Sequence, residues 1–109
     1  MPRSGSLKQR ITIQERAINN VLGDPIEVWS DVQEMWAKVQ PMRGDELFKA
    51  QQMNTRINTK ITMRPYPGLS TLHRIIHGSD TYNILSVQNV DSLGVDMLLY
   101  CEEVRTSGS

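Results

Sequence analysis

The chain has one cysteine, Cys101, and one phenylalanine, Phe48, in 109 residues. A lone thiol excludes an intramolecular disulfide and fits a reducing compartment. Aromatic residues make up only 6%, so the stacking platforms of single-strand nucleic-acid binders are in short supply. Neither sign of charge is in excess. Twelve basic and twelve acidic residues give a formal net charge of zero, which argues against strong nonspecific attraction to nucleic acid. No apolar run approaches the ~20 residues of a membrane-spanning helix, so no membrane partner is expected. The opening Met1-Pro2-Arg3-Ser4-Gly5-Ser6 is followed by no hydrophobic segment, and a signal peptide is not expected either.

Chemistry-bearing motifs are equally scarce. There is no Gly-rich phosphate loop and no nucleophile elbow. His73 and His77 would share one face of a strand with Ile75 between them. No Cys, Asp or Glu stands nearby at ligand spacing, so solvated or structural histidines are expected rather than a metal pair. Cys101, between Tyr100 and Glu102, reads as an inert thiol in a packed strand. No enzyme activity, catalytic residue, cofactor or metal is expected.

What the sequence does contain is strand pattern broken by turn signals. A chain of 109 residues makes one domain. It is expected over 7–104, with flexible Gly/Ser-rich tails at 1–6 and 105–109. Residues 8–15 alternate, with Ile11 and Ile13 on one face. Residues 17–26 hold Asn19-Asn20 and Gly23-Asp24-Pro25, which predict a loop. Strand character returns at Ile26–Trp29 and runs from about Val32 to Gln40, where Met35, Ala37 and Val39 share a face. A further strand is expected over 56–64, ended by Pro65-Tyr66-Pro67-Gly68. Leu72–His77 and Thr81–Gln88 flank a hairpin turn at His77–Asp80, a loop surrounds 89–94, and Val95–Val104 closes the chain. The last run is apolar on both faces, as in a doubly covered strand. Six or seven short strands without a βαβ period predict a mainly β fold, a small antiparallel barrel or sandwich. The expected core includes Ile11, Ile13, Val39, Ile61, Ile84 and Leu99.

One element breaks the β pattern. Pro41-Met42-Arg43-Gly44 stops a strand, and Asp45-Glu46-Leu47-Phe48-Lys49-Ala50-Gln51-Gln52 reads as a short helix at about 44–53 with acidic residues in its first turn. It is polar on most of its circumference and too short to be stable alone, so it is expected to order against a partner. Leu47 and Ala50 should pack inward and Phe48 should lie exposed. Arg43, Asp45, Glu46, Phe48, Lys49 and Gln52 are therefore the candidate assembly interface. Trp29 and Trp36 read as core packing or interface anchors. Seven residues apart in an unbroken strand, they would lie on opposite faces. Arg56, Lys60 and Arg64 would share one strand face. That stripe reads as an ordinary solvated face, or as a lining for a DNA channel or an acidic partner.

The order of these segments carries a resemblance. WAKVQPMRGDELFKAQ and RIIHGSDTYNI, set between LKQRITIQ and a closing LLYCEEV, resemble the phage head–tail joining family, also called head closure or stopper proteins. The resemblance spans about Leu7 to Val104. It implies a structural connector, assembled in the host cytoplasm into the virion, which forms a ring that joins the capsid portal to the tail and helps retain packaged DNA. Implied partners are portal or adaptor ring proteins, tail proteins, other copies of the chain and DNA in the lumen, with a monomer expected in isolation. A tail-completion or tail adaptor role is the nearest alternative. A nucleic-acid-binding β-barrel module is the alternative from another class.

Overall fold

The computed structural model describes residues 9–89 and 96–104, the side chains of 19–21 and 89 apart. The expectations for the two tails and for the loop at 89–94 lie outside the described residues, except at Asn89, which ends a strand. The described chain runs β1 (Gln9–Val21), β2 (Asp24–Pro41), α1 (Gly44–Met53), β3 (Thr59–Met63), β4 (His73–His77), β5 (Asp80–Asn89) and β6 (Met97–Val104). Adjacent strands pair antiparallel in the order β1-β2-β3-β6-β5-β4, and β4 returns to β1 through Thr12–Glu15, so the sheet closes as a barrel. Closure removes sheet edges that a small domain has little else to cover.

The period-2 alternation fills the interior. Ile11, Ile13, Ala37, Ile61, Met63, Ile75, Tyr82, Ile84, Leu99 and Cys101 all point inward and are buried. Val39 of the expected core is only partly buried and packs against the cluster's side. β3 is shorter than the expected 56–64. Its ladder covers Thr59–Met63, and Ile57 is instead buried in a second, smaller cluster with Met42 and Ala50.

That second cluster explains the helix. Met42, Ala50 and Ile57, with Leu47, Leu85 and Tyr100, form an apolar layer between α1 and the outer face of the barrel. A register shift between Ile84 and Ser86 leaves Leu85 unopposed on β5, a β-bulge that turns an extra apolar side chain outward. Both ends of the insert are tied down. The Met42 amide donates to Asn58 O at 3.0 Å, and the Asn58 amide donates to Cys101 O at 3.0 Å. Gln51 Nε2 donates to Ile57 O at 3.0 Å. The helix is thus ordered by its own barrel, which departs from the expectation that a partner is required.

The largest departure is at 17–26, expected as a loop. β1 and β2 continue pairing to Val21↔Asp24, joined by a two-residue turn at Leu22-Gly23. Turn chemistry was legible there, but its residues occupy strand positions. Pro25 is tolerated because nothing pairs with that side of β2, so its missing N–H breaks no ladder. Beyond Glu15 the hairpin has left the barrel: β4 pairs with β1 only at 12–15, and β3 with β2 only at 37–41. Residues 16–21 extend ~20 Å at the usual strand rise. The described molecule accordingly measures 53 × 27 × 26 Å.

Candidate functional site

The projecting hairpin concentrates exposed apolar surface at its far end. Ile18 is 63% exposed, Leu22 98% and Ile26 44%. Among the described residues no strand pairs with either edge of the arm beyond Glu15 and before Ala37, and an open strand edge is the usual template for addition of another chain. The turn itself is unusual. Leu22 has φ 54° and Gly23 φ 86°, so both central residues are left-handed, as the tight hairpin turns require. Gly adopts this conformation freely; Leu is strained there, whereas Asn or Asp is the favoured residue. A leucine that is 98% exposed thus sits where Asn or Asp would be less strained.

The arm's root carries a connected outer face. A register shift between Ile13 and Gln14 leaves Val32 unopposed on β2. This bulge changes the side-chain parity, so Trp36 opposite Arg10 and Trp29 opposite Arg16 share the outer face. The unbroken-strand expectation of opposite faces is therefore corrected. The Arg10 guanidinium lies 5.2 Å from the Trp36 ring centre, and that of Arg74 lies 4.2 Å from the Trp29 ring centre. Arg74 Nε donates to Gln14 Oε1 at 2.7 Å, and Gln14 Nε2 donates to Asp31 Oδ1 at 2.7 Å. Arg10 pairs with Glu34 at 2.9 Å and Arg16 with Glu27 at 3.2 Å. Burial lowers the pKa of Arg74, and the nearby Glu27 acts against that shift. Trp29 is half-buried, and Trp36 is 52% exposed.

The helix set is exposed, with Glu46 turned toward Lys60 of β3. Phe48 is 66% exposed. Arg43, Asp45, Glu46, Lys49 and Gln52 are exposed around it, while Ala50 is buried beneath. The basic set does not form one stripe. Arg56 lies in the turn before β3 and approaches Glu102 at 3.6 Å; Lys60 is on β3 and pairs with Glu46 of the helix; Arg64 is exposed past the end of β3. Two of the three cations thus have acidic neighbours, and Glu46 and Lys60, from different candidate sets, are partners.

Among the described residues no group of three or more His, Cys, Asp or Glu could hold a metal ion. His73 and His77 end β4 with buried Ile75 between them, and His73 Nδ1 accepts from the Ser70 amide at 3.2 Å. Burial pushes the Cys101 thiol up to about 12, which keeps it protonated and unreactive at neutral pH.

Sequence reading missed the arm. Its one signal was Leu22-Gly23 between two alternating runs, a two-residue spacing that fits a tight hairpin. It also missed the pairing of Arg74 with Trp29, which depends on a bulge and on a strand 45 residues away.

A family model described as phage head completion protein matches residues 2–104. No curated protein matches the chain. Among solved structures, the solution structure of protein SF1141 from Shigella flexneri 2a is 20% identical with a TM-score of 0.76, covering 99% of this chain and 100% of that one. A chain from the virion of a native gene transfer agent particle is 20% identical with a TM-score of 0.63, covering 97% and 100%. These two likenesses establish a shared fold.

Proposed function

The chain belongs to the phage head completion protein family, and from that premise we propose that it is a non-catalytic part of the head–tail junction, working by assembly. Copies form a ring that joins the portal to the tail and helps retain packaged DNA. The barrel acts as the rigid body of each subunit. The arm reaches a neighbouring subunit or a portal protein, and the outward face of α1, with Phe48 as anchor and Arg43, Glu46 and Lys49 around it, makes a second contact. The fold shared with a chain from a gene transfer agent virion supports this reading. The observation that carries it is the arm's tip, where Ile18, Leu22 and Ile26 stand exposed.

Under this proposal DNA meets a weakly charged lining. Lys60 is paired with Glu46, and a passage that holds DNA yet releases it needs low affinity at each contact. The test is electron microscopy of the purified chain mixed with its cognate portal. The expected result is ring density on the portal and a monomer without it. A chain that never decorates the portal, and instead binds single-stranded oligonucleotides with strong salt dependence, would replace this reading with the nucleic-acid module.

A further inference from the structure

A groove of about 630 Å³ runs on the outer face, between the root of the arm and the turn that follows α1. Arg16, Glu27 and Trp29 line it together with Arg56, Arg74 and Asn83. Three guanidinium groups therefore converge on a space lined by one carboxylate, in a chain whose total charge is zero. Its size lies within the ~300–1,000 Å³ typical of ligand sites. None of these groups is used by the assembly contacts proposed above, which lie at the arm's tip and on the exposed positions of α1.

We propose that this groove docks an acidic peptide segment of a partner protein, whose carboxylates meet Arg56 and Arg74, with Arg16 at the side. Arg74 is held in place for this task. Its Nε is bonded to Gln14 and its plane lies against Trp29, so little side-chain freedom remains to be lost on binding. Arg56 sits 3.6 Å from Glu102 and its side chain is 61% exposed, a loose pairing that a better-placed carboxylate displaces at little cost. The same geometry selects a peptide over a nucleic acid. Arg74 covers the Trp29 ring, so that face cannot stack a base. Glu27 in the lining and Glu102 beside Arg56 would repel a continuous phosphate chain, whereas a peptide can place neutral or basic residues opposite them.

The test uses the isolated full chain, so it stands apart from ring assembly. A fluorescein-labelled Asp/Glu-rich decapeptide is titrated with protein at low salt and read by fluorescence anisotropy, in parallel with a labelled single-stranded oligonucleotide. Saturable peptide binding is expected, weakened at least ~tenfold in Arg56→Glu, as for the loss of one good charge-assisted contact. Arg64→Glu, the same charge change outside the groove, should leave binding within about twofold, since screening confines each charge to about 8–10 Å. Arg74→Gln should weaken binding by a similar factor to Arg56→Glu. No peptide binding by the wild type, equal losses in Arg56→Glu and Arg64→Glu, or tighter binding of the oligonucleotide than of the peptide would each overturn the assignment. Both arginine variants at 56 and 64 change exposed residues, so their folding is not in question.

Discussion

The two ends of this molecule use the same hairpin strands in opposite ways. In the barrel, β1 and β2 alternate so strictly that Ile11, Ile13 and Ala37 are sealed from water. A few residues further along the same hairpin, Ile18, Leu22 and Ile26 are exposed, with no neighbouring strand among the described residues to cover them. The sequence pattern changes there too: Ile18 has the parity of Arg10 and Arg16 rather than of Ile11 and Ile13, and Glu15 and Ala17, which continue the inner face, are exposed. Burial ends where β3 and β4 stop pairing with the hairpin. The physical expectation is a division of labour, with stability held in the barrel and binding in the arm.

The most damaging change for that division should be in the barrel. Ile61→Ala removes a side chain with no solvent exposure from the centre of the core and should lower stability by ~2–5 kcal/mol. In a domain of this size that is a fall in Tm of roughly ten degrees or more, measurable by calorimetry. A loss under about 0.5 kcal/mol would show that the two ends do not differ as described.

Cys101 gives a second probe of the barrel. Its thiol should resist a maleimide reagent in the native state at pH 8 and react fully once denatured, as burial raises its pKa to about 12. The unfolded thiol ionises near its ordinary value of about 9 while the folded one does not. Its linkage therefore leaves stability unchanged below pH 9 and reduces it as pH rises from 9 toward 12. Rapid native labelling would mean that the barrel opens far more readily than its packing implies.

The helix lies between the extremes. Phe48→Ala with Lys49→Glu changes only exposed positions on α1, and should weaken portal or neighbour binding while shifting Tm by no more than a few degrees. If the pair instead unfolds the protein and leaves assembly of the folded fraction intact, α1 belongs with the barrel. The smallest effect on stability, and one of opposite sign, is expected at the arm's tip. Leu22→Asn relieves a strained left-handed leucine and should raise stability by about 0.5–1 kcal/mol.

Much of this was legible in the sequence. The antiparallel barrel or sandwich, the helix at 44–53, the inward faces of Ile11, Ile13, Ile61, Ile84 and Leu99, and the exposure of Phe48 all follow from period and turn chemistry. The resemblance to head–tail joining proteins agrees with the family match. Three features were missed. The continuation of the hairpin through 17–26 was masked by turn residues in strand positions, while the shared face of Trp29 and Trp36 and the dispersal of Arg56, Lys60 and Arg64 depend on strand register and on where β3 begins and ends. A single bulge at Val32 reverses the facing of everything beyond it. No local pattern in VWSDVQEMW marks which residue will be the extra one. The anchoring of α1 likewise rests on Asn58 and Cys101, which the helix's own sequence does not reveal.

The most direct test is to measure stability and assembly on one arm variant, Ile18→Ser with Leu22→Asn. Thermal unfolding and portal decoration by electron microscopy are compared with the wild type at equal concentration of folded protein. The account predicts a Tm equal to or above that of the wild type, together with loss of ring density on the portal. A variant that decorates the portal as the wild type does, whatever its Tm, would contradict the claim that the arm is the docking element.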